Sequence, residues 1–196
     1  MQENKELLIL AVVGMPATGK SEVIKSLKEK YHFFHLYYGD ITFDEVKRLG
    51  LELNEQNERI AREGLRASGD MAIYSRLILP KIQKAISEGH KHILLESMYN
   101  IYEYELIKGN FKENFKVLAI HSDEDIRIKR INSRKERKLT ALELESRQIS
   151  EAKNLGKGTV ISLANYHFIN NGENMKAFEQ EMDEYLKKRI LNFDVL

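Results

Sequence analysis

The sequence contains no cysteine, so disulfides, thiolate nucleophiles and thiolate metal sites are excluded, and nothing points to an oxidising compartment. A dominant charge is missing too. Lysine and arginine total 31 against 30 aspartate and glutamate, a formal net charge of +1, so no global field draws the chain to nucleic acid or an anionic membrane. Any anionic ligand has to be held by local clusters. There is no long hydrophobic run. Leu7 to Val13, after the polar stretch Met1 to Glu6, is too short for a signal-peptide core with its flanks or for a membrane span, so a cytoplasmic location is expected. Repeats and low-complexity linkers are absent. The six histidines show no ligand-like spacing, which argues against a histidine metal site.

What is present fits one globular domain: 196 residues, 42% hydrophobic and 31% charged. Leu7 to Val13 ends at Gly14 and has the continuous apolarity of a strand buried on both faces. Val23, Ile24 and Leu27 then recur at helical spacing. Further strands are expected over His32–Tyr37, Lys91–Glu96, Phe115–His121 and Tyr166–Asn170, with helical stretches between them. Strands alternating with helices imply crossover connections, hence an α/β fold: a three-layer α/β/α arrangement on a five-stranded parallel sheet. Thr42-Phe43-Asp44-Glu45 and Thr140-Ala141-Leu142-Glu143 match the T-x-x-E capping box and place helix starts there. The span from about 42 to 88 reads as a helical insert, with Gly69 near a break and Pro80 kinking or beginning a helix.

The segment Gly14-Met15-Pro16-Ala17-Thr18-Gly19-Lys20-Ser21 satisfies G-x-x-x-x-G-K-[ST] between a strand and a helix, the context the phosphate-binding P-loop requires. Backbone N–H groups of such a loop point at phosphate, aided by the helix dipole. Lys20 then reaches the β- and γ-phosphates and the Ser21 hydroxyl ligates Mg²⁺. Asp40, after Gly39 at the end of the second strand, either takes a proton from a phosphoryl acceptor or serves as a turn and cap residue. Glu96 ends the third strand, either as a Mg²⁺-holding carboxylate or as a strand-end group in solvent. The basic run Arg127 to Lys138, in which Glu136 is the one acidic residue, supplies Arg130 and Arg134 at helical spacing, as a solvated face or as clamps on a transferring phosphoryl group. Tyr99 is either core or the wall of an acceptor pocket.

With the closing segment Ala164 to Gly172 added, the chain resembles the P-loop nucleotide-kinase-like proteins related to adenylate kinase and dephospho-coenzyme A kinase. Within that group it is similar to an uncharacterised archaeal-type branch carrying G-M-P-G-S-G-K-S, then G-D, then a segment like Gly158 to Tyr166. The resemblance implies that Lys20 and the loop from Gly14 to Ser21 hold ATP, with Asp40 at the acceptor. It puts Arg130 and Arg134 in a short lid over about 127–140, and Asn171 and Gly172 beside the adenine. The insert around Arg66 would close over the acceptor.

Two departures bear on the substrate. Phe43 and Tyr99 stand where nucleoside monophosphate kinases carry arginines for the acceptor phosphate, and guanidinium groups are what grip such a phosphate bidentately. Ala17 replaces the loop's usual middle glycine, which its small size makes a mild change. The implied activity is an ATP- and Mg²⁺-dependent kinase for a small nucleotide-like acceptor, with Lys20, Asp40 and Arg134 catalytic, Arg66 and Tyr99 at the acceptor, and Ser21 and Glu96 on the metal. The alternatives are a dephospho-coenzyme A kinase, or an ATP-binding regulator with weak turnover. No nucleic-acid or membrane partner is expected, and the protein is expected as a monomer or homodimer.

Overall fold

The computed structural model describes residues 7–133, 145, 149, 156–172 and 174–191. Five strands, β1 (Leu8–Val13), β2 (Phe34–Tyr37), β3 (His92–Glu96), β4 (Phe115–His121) and β5 (Tyr166–Ile169), form one sheet in the order β2-β3-β1-β4-β5. Every pairing is parallel, with Val12 beside Glu96 on one side and Val13 beside Ala119 on the other. The first strand in sequence is therefore the middle strand in space, and the segment leaving it emerges between the ends of β3 and β4.

Among the described residues the longer helices are α1 (Lys20–Glu29), α2 (Gly39–Arg48), α3 (Glu55–Arg66), α4 (Ile73–Ser87), α5 (Ile101–Phe111), α6 (Glu124–Asn132), α7 (Lys157–Ser162) and α8 (Met175–Leu186). Because strand side chains alternate faces, the apolar β1 run serves two cores at once. Ile9, Ala11 and Val13 join Leu95, Val117, Ile78, Ile82 and Ile107 under α4 and α5. Leu10 and Val12 join Leu94, Ile120, Val23, Leu27, Phe178 and Met182 under α1 and α8. Each fully buried Leu, Ile or Val contributes about 1.5–3 kcal/mol by leaving water, which fixes the three-layer α/β/α architecture read from the sequence.

Local boundaries differ from the expectations in instructive ways. β2 begins at Phe34 because His32 has φ 54°, a left-handed conformation outside the strand region. The helix expected to start at Thr42 starts at Gly39 instead, so the insert begins a few residues early. Thr42 is buried inside that helix, and its hydroxyl pairs with the Tyr74 hydroxyl at 2.9 Å rather than capping. Pro80 lies within α4, while Gly69 occupies the break before it with φ 78°. A capping box does occur at Asn100, whose side chain accepts from the Glu103 N–H as Glu103 reaches back. The box at Thr140 lies outside the described residues.

Candidate active site

Gly14 leaves β1 against β4 so closely that a Cβ there would sit 2.4 Å from the Ile120 carbonyl oxygen, and only glycine fits. Gly19, at φ 97°, turns the chain into α1, whose first residue is Lys20. The Lys20 ammonium donates to the Met15 carbonyl at 2.8 Å, and the Thr18 hydroxyl donates to the same oxygen at 3.0 Å. Ser21 stands exposed in the first helical turn.

Ala17 is left-handed at φ 63°, so the usual glycine is favoured here by backbone conformation, not only by size. An L-residue pays about 1–2 kcal/mol in that region. Its methyl, however, is buried against Ile131 of α6, which returns about 0.8 kcal/mol. Burial of the methyl thus offsets part of the backbone cost.

On the β4–β5 side of the loop, Asn170 is buried and donates through its amide to the Thr18 carbonyl at 2.9 Å. Its oxygen accepts from Arg130 at 2.9 Å. Arg130 also donates to the Ser122 hydroxyl at 2.9 Å and to the Gly172 carbonyl at 2.8 Å. The guanidinium that the resemblance put on phosphate and adenine is therefore engaged in tying the segment after β4 to the segment after β5, while still lining the space in front of them. That space is a cavity of about 680 Å³ bounded by Pro16, Gly19, Lys20, Ser21, Arg130, Gly172 and Phe178, among others. Asn171 does not line it; its side chain accepts from the Asp123 N–H at 2.9 Å, at the start of α6. Residues 127–132 of the expected lid belong to α6. Arg134, and the rest of that lid through 140, lie outside the described residues.

On the β3–β2 side a second cavity of about 130 Å³ opens among Tyr37, Phe43, Arg62, Arg66, Tyr74 and Tyr99, with Gly39 and Ser97 also lining it. The structure thus brings Arg66 and Tyr99 together, along with Phe43. Asp40 follows Gly39 in the first turn of α2 and is exposed. Ser97, the residue after β3, is left-handed at φ 71°, and such strained residues cluster at ligand sites. Glu96 is half-buried, and its carboxylate meets the His35 ring nitrogen at 2.7 Å. A metal ion at Glu96 would share the carboxylate with that imidazole.

Two charged residues lie behind this cavity, and one of them, Glu103, was not singled out by sequence reasoning. Glu103 is 0% exposed and accepts from the Tyr99 N–H at 2.7 Å. Burial pushes its pKa up to about 7, opposed by the N–H groups of Tyr99 and Asn100 and by Arg66. Lys157, from α7, is only 5% exposed and lies over the Tyr99 ring at 4.8 Å. The N-x-x-E pattern at Asn100 was the available signal for Glu103. Among the described residues no group of three or more His, Asp or Glu is arranged to hold a metal, and no helix is long and apolar enough to cross a membrane.

The model of a family described as AAA domain matches residues 13–148, which covers the phosphate loop, the helical insert and α6. The chain belongs to that family. It also belongs with the UPF0200 proteins of archaea: it is 30% identical to one from Methanococcus maripaludis, covering 93% of this chain and 97% of the relative. It is 29% identical to another from Thermococcus kodakarensis, covering 93% and 98%. Among solved structures, a shikimate kinase from Bacteroides thetaiotaomicron superposes with TM-score 0.56 at 12% identity, covering 92% of this chain and 97% of that one. A putative kinase from Chloroflexus aurantiacus gives 0.55 at 16% identity, covering 93% and 97%. At such identities these two establish the fold, a P-loop kinase-like α/β architecture.

Proposed function

We propose that the protein is an ATP- and Mg²⁺-dependent phosphotransferase that moves the γ-phosphate of ATP to a small nucleotide-like acceptor. The observation that carries this reading is the placement of two cavities on either side of one phosphate loop. The larger, at Lys20, Arg130 and Gly172, has room for a nucleotide. The smaller, at Arg66 and Tyr99, is sized for part of an acceptor.

In this reading the loop N–H groups and the N-terminus of α1 bind the phosphates, and Lys20 swings from the Met15 carbonyl to the β- and γ-phosphate oxygens. Ser21 and Glu96 would hold Mg²⁺, which supplies neutralisation of the charge spread over the transferring group. The acceptor hydroxyl oxygen bonds to the γ-phosphorus as the bond to the β–γ bridging oxygen breaks, and ADP departs with that electron pair. Asp40 takes the hydroxyl proton. Arg134 adds positive charge at the transferring group. The same reading has the protein acting in the cytoplasm, as a monomer or homodimer.

The test is a panel of small acceptors with ATP and Mg²⁺, read by ADP release, with Lys20→Ala as control. Acceptor-dependent release that the control lacks is the expected result. If ATP binds and no acceptor raises release above the control, an ATP-binding regulator replaces the kinase.

A further inference from the structure

The smaller cavity has the chemistry of a ring-binding slot in which one of the two guanidinium groups is already paired. Its walls are largely aromatic. Tyr37 meets Phe43 edge to face at 6.3 Å between centroids, and Gly39 leaves the room for this: a Cβ there would sit 2.3 Å from the Tyr37 ring. Two of the polar tips are spent on neighbours, since the Tyr74 hydroxyl pairs with Thr42 and the Tyr38 hydroxyl with Ser75 at 2.7 Å. What remains for a ligand is mostly π-face and ring edge, the surface that receives a planar ring by offset or edge packing.

The guanidinium groups do not make this a phosphate grip. Arg62 is held by Glu55 at 2.9 Å and by Glu58 at 3.4 Å, so its charge is answered by two carboxylates, one of which also lines the cavity. Arg66 lies over the Tyr74 ring at 4.8 Å, with Glu103 buried close enough to feel its charge. A phosphomonoester brings nearly two negative charges to a site, and a tight one answers them with uncompensated, bidentate guanidinium groups. Here Arg62 is already answered, which leaves Arg66, with its Nε buried and unpartnered, as a single guanidinium where a phosphomonoester calls for more. At about 130 Å³ the cavity is also well below the roughly 300–1,000 Å³ of pockets for whole drug-sized ligands, and suits a single ring system.

We propose that this slot takes the planar heterocycle of an acceptor that carries a free hydroxyl and no phosphomonoester, a nucleoside-type molecule, in preference to a nucleoside monophosphate. The inference rests on the phosphotransferase reading for its reaction, in which the nucleoside hydroxyl receives the γ-phosphoryl group and its proton leaves to Asp40. Arg66 supplies N–H donors to the ring's carbonyl or nitrogen acceptors, and Tyr99 stacks on the ring.

The test compares adenosine, guanosine, cytidine and uridine with their 5′-monophosphates, each with ATP and Mg²⁺, by ADP release and by quenching of tyrosine fluorescence without ATP. The expected result is at least a tenfold higher kcat/KM for one nucleoside than for its monophosphate, with the nucleoside's quenching lost in Tyr99→Ala. Thermal melting establishes that the variant is folded; Tyr99→Phe, which keeps the ring, should bind as the parent does. Phe43→Arg, which adds a cation without a matching carboxylate, should shift preference at least tenfold toward the monophosphate. A nucleoside that binds through Tyr99 without ADP release keeps the assignment of the slot while sinking the phosphotransfer reading. A monophosphate preferred by the parent protein, or no binding by any of the eight compounds, overturns the proposal.

Discussion

The Asn170 amide nitrogen donates to the Thr18 carbonyl at 2.9 Å, joining the end of β5 to the phosphate loop across most of the chain. Asn170→Ala leaves that buried carbonyl without its donor and Arg130 without one acceptor. Orphaned buried groups of this kind cost about 1–3 kcal/mol each, so a loss of about 2–4 kcal/mol in urea denaturation is expected, together with at least tenfold weaker ATP binding by calorimetry. Unchanged stability would show that water replaces the amide.

Two glycines in the same region should respond oppositely. Gly14→Ala drives a Cβ against backbone, the Ile120 carbonyl, and overpacking against atoms that cannot step aside costs about 1–3 kcal/mol; loss of measurable ATP binding is expected with it. Gly172→Ala meets nothing within 4 Å, and should change stability by less than about 0.5 kcal/mol. Comparable losses in the two variants would contradict the steric account.

How legible this site was in the sequence depended on how local each signal is. The phosphate loop could be read because its spacing and the flanking strand and helix lie within one short segment. β1, β3 and β4 could be read because strands buried on both faces are continuously apolar. Thr42 misled because its T-x-x-E pattern is local, whereas the start of α2 is set by burial of Tyr38, Ile41 and Val46 and by the hydroxyl pair with Tyr74. Asn170 and Arg130 went unrecognised as a tie because the partners of each, Thr18 and Gly172, become neighbours only once β5 has docked beside β4. Glu103 escaped because a buried carboxylate and a surface helix-start glutamate look alike in sequence.

Glu103 also carries a pH signature. Its folded pKa of about 7 lies above the ordinary value of 4.5, so the folded state holds a proton that the unfolded state releases. The stability this contributes is fully present below about pH 4.5 and is lost as pH rises through about 7, at most roughly 3 kcal/mol in all. Glu103→Gln removes the titration. Relative to the parent, the variant should gain stability from pH 4.5 to 7.5 in paired chemical denaturation curves; a constant difference across that range contradicts the burial account.

Asp40 stands exposed in the first turn of α2, next to Gly39 of the smaller cavity. If it takes the acceptor proton, Asp40→Asn keeps ATP affinity and loses about 10²-fold or more in turnover. Turnover equal to the parent, with any active acceptor, reduces Asp40 to a helix-start residue.

The central position of β1 has a bearing on how the protein folds. Its phosphate loop takes shape only where β3 and β4 flank it, and both strands come from far along the chain, so closing those parallel pairings is the slow, high-contact-order part of assembly. Helix α1 can form early and locally, whereas a competent phosphate cradle cannot. In a refolding experiment, recovery of nucleotide binding should therefore trail the recovery of helical signal, making the ligand a reporter of the completed sheet.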